Sequence, residues 1–365
     1  MIQSKNPVNP TFFDRVREKF FYSSFATGVT VVAVFFVAVI LAYLLDWGVV
    51  NAVFRADSNA CYEASGACWG FVTEKWRLVI FGRFPYAEQW RPALATVAIV
   101  GMLFLTAMPR FWNRNGKKIL MCGWFAAFCI FFLLMYGGVL GLSKVDTDSW
   151  GGLPLTVILT LLGMAVSTPI GILLALGRRS QLPLMRLLCT GYIELVRGVP
   201  LITVLFVASF VFPLLLPSGI RIDPFWRVTG GIILFQAAYM AETVRGGLQT
   251  VQKGQFLAAD SLGLSTVQKY VSVILPQALV AVIPSFVNNL LSTFMDTSLV
   301  TVVSMFDLTG SLQLALGDAQ WRDFFREGYI FVAAIYFFSS LAMSRYSQWL
   351  EKRLQAADHT TVKKA

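Results

Sequence analysis

Charge is scarce in this chain. Only 14% of its 365 residues are Asp, Glu, Lys or Arg, while 56% are hydrophobic and Phe alone occurs 31 times. That balance excludes a disordered segment and an ordinary water-soluble domain. Histidine occurs once, and the five cysteines have no histidine or acidic cluster beside them. The usual donor sets for a metal are therefore missing, and no metal site is assigned. No GxxxxGK[ST] loop is present, because Gly116-Lys117-Lys118 has no glycine five residues earlier. Any nucleotide hydrolysis must then belong to another polypeptide. No nucleophile–base arrangement and no catalytic dyad is visible, so no catalytic residue is assigned and no cofactor is expected on this chain.

What the chain does have is long apolar runs. Stretches of about 17–25 apolar residues, enough to cross about 30 Å of hydrocarbon, recur along most of its length. Each must be a helix, since open backbone finds no partner in lipid. The pattern predicts an all-α membrane protein with about eight spans, near 25–45, 91–108, 119–140, 153–176, 191–216, 225–244, 276–301 and 328–344.

The net charge of +10 is not a nucleic-acid signal, because the cations sit in short runs at the ends of apolar segments. With the N-terminus inside, Lys5, Arg15, Arg17, Lys19, Arg110, Arg114, Lys117, Lys118, Arg178, Arg179, Arg186, Arg245, Lys253, Lys269, Arg345, Lys352, Arg353, Lys363 and Lys364 all fall on the cytoplasmic side. This bias orients a multi-pass membrane protein with both termini cytoplasmic. Residues 1–24 read as a cytoplasmic leader without a cleavage pattern, and 351–365 as a cytoplasmic tail. The segment near 47–90 is the exception. It carries Arg55, Lys75, Arg77 and Arg83 on the outer side, offset by Asp57, Glu63, Glu74 and Glu88. Cys61 and Cys68 lie in it. In an oxidising periplasm they can close a small loop, and the other reading is two unpaired small residues.

One polar stretch interrupts the apolar pattern: "GQFLAADSLGLSTVQKYVSVILP", 254–276. Gln255, Ala258, Ala259 and Leu262 recur at i, i+3, i+4 and i+7, one smooth face of a short helix. Gly263 can end that helix in a left-handed turn, and Ser265 with Gln268 has capping-box spacing for a second. Pro276 then suits the first turn of the next span. The product is a helix–turn–helix along the inner surface, suited either to docking in a partner's groove or to resting in the headgroups.

The same stretch resembles the EAA loop of importer-type ABC transporter permeases. Leu257-Ala258-Ala259, Gly263 and Val273-Ile274-Leu275-Pro276 stand in that loop's register, with Leu257 where the family has its acid. "YIELVRGVPLI" (192–202), "QAAYMAETVRGGLQTV" (236–251), "DTSLV" (296–300) and "LPQAL" (275–279) are similar to the polar amino-acid uptake permeases, with Met295 where that family often has Lys. The resemblance implies a five-span ABC permease core over 150–350, with a cytoplasmic coupling loop at 249–273. Three additional helices over 25–145 would precede it, as in the long permease of general L-amino-acid transporters. It further implies a bacterial inner membrane, ATPase partner subunits that use ATP and Mg, a second and different permease subunit, and a periplasmic amino-acid-binding protein. Coupling would fall to Gln255, Leu257, Ala258, Ala259, Asp260, Gly263 and Pro276.

An amino acid crossing a bilayer needs polar groups for its carboxylate and ammonium. Asn288, Ser292 and Asp296 form one polar stripe on the seventh span, and Gln236, Tyr239 and Thr243 a comparable line on the sixth. Intramembrane polar residues are expensive and often functional, although they also serve as interhelical hydrogen bonds. Glu194 with Arg197, and Glu242 with Arg245, are i, i+3 pairs that either seat helix ends or form a gate. An ion-coupled secondary amino-acid transporter is the alternative. It would want inverted repeats and midplane acids, and only Asp296 is a candidate.

Overall fold

A chain this apolar must satisfy its own backbone wherever lipid surrounds it, and helices do so. The computed structural model describes residues 18–217 and 219–362, with side chains up to Arg353 on the last helix. Lys5, Arg15, Arg17, Lys363 and Lys364, with most of the expected leader and the end of the tail, lie outside the described residues.

The chain divides into two units, residues 1–74 and 75–365. In the first, helix Ser24–Leu45 starts at Ser23, whose side chain accepts from Ala26 N. A wide π turn carries it on to Val50, giving 27 residues with no buried side chain, within which an 18-residue stretch has a mean hydropathy of 2.8. At about 1.5 Å per residue this spans about 40 Å, more than the hydrocarbon thickness. The stretch that follows is folded, not slack. Cys61 and Cys68 are joined by a disulfide. Val53 N donates to Ala67 O at 2.8 Å, Ala67 N to Trp47 O at 2.7 Å, and Trp69 Nε1 to Gly48 O at 2.7 Å.

The second unit holds the long helices Trp90–Ala107, Arg114–Tyr136, Gly152–Arg178, Pro224–Thr250, Leu275–Asp296 and Phe325–Val362. Among the described residues, six helices of the whole chain are long and apolar enough to cross a membrane, and a bent pair supplies a seventh. Pro224–Thr250 is equally long at 27 residues but more polar, and it is placed among these helices by its packing. It packs most extensively against Gly152–Arg178, and small residues let the two backbones approach. A Cβ on Gly163 would stand 2.7 Å from Ile232, and one on Gly171 2.7 Å from Met240. Lipid gives no hydrophobic drive for two apolar helices to pair, so this close van der Waals contact is what holds them. Trp150, 2% exposed, ties the earlier helices to this core, its ring centroid 4.6 Å from Tyr136 and 5.2 Å from Phe225. Arg91, fully buried, donates to Leu134 O at 2.6 Å, to Ser143 O at 3.0 Å and to Glu88.

The end where Gly152–Arg178 begins is interlocked by glycines. Gly151 and Gly152 bridge to Phe306 and Asp307, and Gly152 N donates to Ser311 Oγ at 3.0 Å. Segment 75–83 lies across this junction. A Cβ on Gly82 would fall 2.5 Å from Gly151 Cα, and one on Gly152 2.0 Å from Ile80 O. Arg83 donates to Asp148 O at 2.6 Å, and Lys75 pairs with Asp318 at 2.7 Å.

Two of the differences from the expected spans have a local cause. The run 191–216 is not one helix. It is Pro183–Arg197 followed by Leu201–Leu214, bent by 106° at Gly198-Val199-Pro200. Proline supplies no N–H and disfavours helix in the residue before it, so continuation is blocked there. The third span ends at Tyr136 and not near 140, because Gly137, Gly138 and Gly141 all take positive φ.

Candidate functional site

The helix break opens a cavity of about 620 Å³, within the range of small-molecule sites. Arg197, Gly198, Val199, Pro200 and Leu201 form one wall. Phe235, Gln236 and Tyr239 of Pro224–Thr250 form another, and Asn289, Ser292, Asp296 and Leu299 close it. Gln236 is 4% exposed. The Phe235 and Tyr239 rings lie 4.8 Å apart, and the Arg197 guanidinium lies over Tyr239 at 5.7 Å. One cation, one carboxylate, two amides and two hydroxyls therefore converge on a volume otherwise walled by apolar side chains. Such a set can hold a small zwitterion, whose two charges each need a partner once water is stripped away.

Beside the cavity, one carboxylate gathers three helices. Glu242 accepts from Arg245 on its own helix and from Arg178 at 3.4 Å, and forms an ion pair with Arg197 at 3.6 Å. Glu194 pairs with Arg178 at 2.8 Å. The expected i, i+3 pair is present for Glu242 and Arg245, whereas Arg197 turns to Glu242 and leaves Glu194 to Arg178. The Arg197 guanidinium thus belongs to both the cavity wall and the ion-pair cluster.

The polar stretch at 254–276 is an elbow between Pro224–Thr250 and Leu275–Asp296. Helix Lys253–Ser261 is followed by Gly263 at φ +69°, a conformation that glycine adopts without steric cost. Ser265 and Gln268 then form a reciprocal capping box. The elbow is braced from within by Lys269 on Asp260 at 2.6 Å and by the Phe256 and Tyr270 rings, 6.3 Å apart. The face expected from Gln255, Ala258, Ala259 and Leu262 is split. Ala259 is 2% exposed against the chain itself, while Gln255, Ala258 and Leu262 face out. Leu257, Leu262 and Val267 are 67%, 78% and 71% exposed, an unusual cost for a polar segment unless something covers them.

The sequence model of the family "binding-protein-dependent transport system inner membrane component" matches residues 167–356, just over half of the chain, and takes in both the cavity and the elbow. The chain belongs to this family of transport permeases.

The permease is 43% identical over 342 residues to the inner membrane amino-acid ABC transporter permease protein YhdY of Escherichia coli, covering 93% of this chain and 92% of the relative. It is 34% identical over 407 aligned residues to the glutamate/glutamine/aspartate/asparagine transport system permease protein BztC of Rhodobacter capsulatus, covering 94% of each. A solved structure described as an amino acid ABC transporter with histidines matches 55% of this chain and 92% of its own, at 31% identity and a TM-score of 0.50.

Among the residues expected to line a path, the permease brings Gln236, Tyr239, Ser292 and Asp296 together in the cavity. Asn288 is exposed and does not line it. Its neighbour Asn289 does, and also donates to Thr243 Oγ1 at 3.0 Å. Thr243 in turn donates to Tyr239 O at 3.0 Å, so it supports the wall without forming it. Residues 198–201 form a wall that hydropathy alone hides, since it averages the run into one helix. The signal was there, a Gly-x-Pro in an apolar stretch.

Proposed function

We propose that this permease is the transmembrane subunit of an ATP-driven importer of L-amino acids, and that the 620 Å³ cavity is part of the translocation path. The observation that carries this reading is the convergence of Arg197, Gln236, Asn289, Ser292 and Asp296 on one chamber at a broken span. Arg197 is the partner for a substrate carboxylate and Asp296 for its ammonium. Backbone at membrane depth is tolerated in a non-helical form where it lines such a chamber.

Coupling then runs through the elbow. Exposed Leu257, Leu262 and Val267 fit a groove on a separate ATPase subunit, which uses ATP and Mg. Gly263, Asp260 and the capping box keep the elbow stiff enough to push. The two helices it joins, Pro224–Thr250 and Leu275–Asp296, both line the cavity, so a displacement at the elbow alters the chamber directly. Leu257 in place of the family's acid makes this contact apolar. Glu242 with its three arginines latches the chamber's neighbouring helices.

In this reading, 25–145 adds three helices to a permease core over 150–350. A second permease completes the path, a periplasmic binding protein delivers substrate, and both termini are cytoplasmic. That amino-acid permeases are among the relatives supports the substrate class. The test is to purify the tagged chain from its native membrane and to reconstitute what co-purifies. Recovery of an ATPase and a second permease, with ATP-dependent uptake in proteoliposomes, is expected. Uptake by this chain alone, driven by an ion gradient, would overturn the proposal.

A further inference from the structure

At the opposite end of the spans from segment 75–83, three rings and one guanidinium form a cluster unrelated to the cavity. Trp112 follows the turn Pro109–Phe111, and its Nε1 donates to Thr106 O at 3.0 Å, which fixes the indole. The Trp349 ring on the last long helix meets it edge-on at 6.1 Å and stacks on Tyr346 at 5.8 Å. One turn further, the Arg353 guanidinium sits 5.4 Å from the Trp112 ring centroid and 5.3 Å from that of Trp349. Two indoles thus hold one cation in place, and its planar fork matches the geometry of a phosphate.

The surroundings are strongly basic. Arg110, Arg114, Lys117 and Lys118 precede or open helix Arg114–Tyr136, with no acid between 109 and 118, and all four are exposed. Arg345, Lys352 and Arg353 are exposed on the last helix, where Glu351 is the one acid between 345 and 353. Just inside this ring of cations the surface turns apolar, with Ile119 59%, Met121 71% and Phe338 66% exposed.

We propose that Trp112, Trp349 and Arg353, with the flanking cations, form a binding site for the headgroup of an anionic phospholipid. The cations call for a phosphate that carries no compensating ammonium, since a zwitterionic headgroup would bring a like charge into the cluster. The adjoining apolar surface calls for acyl chains, which a free phosphate lacks. Interfacial aromatics favour the same depth. The site touches neither cavity nor elbow, so it stands whether or not the transport reading does.

The test is native mass spectrometry of the purified full chain, titrated separately with phosphatidylglycerol and phosphatidylcholine. Preferential retention of phosphatidylglycerol is expected. Arg353→Gln and Arg114→Gln should each weaken it about fivefold, the worth of one juxtamembrane cation. Lys144→Gln, at the other end of helix Arg114–Tyr136, should leave it unchanged. Trp112→Phe with Trp349→Phe should loosen the lipid further while the chain's unfolding temperature holds. Equal retention of both lipids, or undiminished binding in Arg353→Gln, would overturn the site. Displacement of the lipid by millimolar glycerol phosphate would also overturn it, by showing a soluble-anion site.

Discussion

Replacing Glu242 with glutamine tests whether the ion-pair cluster holds the chamber closed. Arg178, Arg197 and Arg245 come from three helices and share that carboxylate. The wild-type cluster of three arginines with Glu194 and Glu242 has a net charge of 3 − 2 = +1, and the variant +2. A hydrogen bond to a charged group is worth about 1.5–3 kcal/mol. The Glu242 side chain is 24% exposed, so water recovers part of that loss, and the Gln carbonyl can keep one neutral bond. A net cost of about 2 kcal/mol results, close to thirtyfold in the balance between latched and unlatched packings. The assay is substrate leak from loaded proteoliposomes without ATP. The variant should leak tens of times faster, and Arg197→Gln should leak less than Glu242→Gln because its acid keeps two partners. The double variant should fall short of the sum, by about 1 kcal/mol of coupling. Wild-type leak in Glu242→Gln, with the protein folded, would refute the latch.

Gly263→Val should uncouple ATP hydrolysis from uptake, because a β-branched residue at φ +69° costs at least about 1–2 kcal/mol. The ratio of substrate moved to ATP consumed is the readout, with membrane insertion unchanged. Cys61→Ser should loosen the outer stretch. Closing a loop with a sequence separation of 7 is worth about 2.5 kcal/mol on the chain-entropy account, so limited proteolysis between 47 and 74 should accelerate. The Lys75 ammonium on Asp318 holds that carboxyl below its usual range. Its contribution is complete above the ordinary aspartate pKa and is lost as pH falls through the lowered value. Thermal unfolding measured below about pH 4 should therefore be less acid-sensitive in Asp318→Asn.

Much of this architecture is readable from composition, because an 18-residue apolar run has few alternatives in a membrane. The elbow was legible for a different reason. Gly263, Ser265 and Gln268 are local signals that act within one turn of themselves. The bend at Pro200 escaped because hydropathy averages over the window and carries no direction. Asn288 shares a face with Ser292 and Asp296 at i+4 and i+8 nearly as Asn289 does at i+3 and i+7, and only the neighbouring helices decide which of them reaches the cavity. Glu242 reaching Arg178 and Arg197 was out of view as well. Periodicity along one helix reports its own partners and never those supplied by another.

The glycine interlock around Gly82, Gly151 and Gly152 has a bearing on how this protein can be cut down. Segment 75–83 is no removable cassette. Paring the chain to begin at Trp150 would strip the cover from Gly151 and Gly152 at the head of the principal helix. Expression of such a fragment would trade a shorter gene for a wetted wound beside Asp307. A mini-permease built from this sequence must keep that strap or replace both glycines' neighbours.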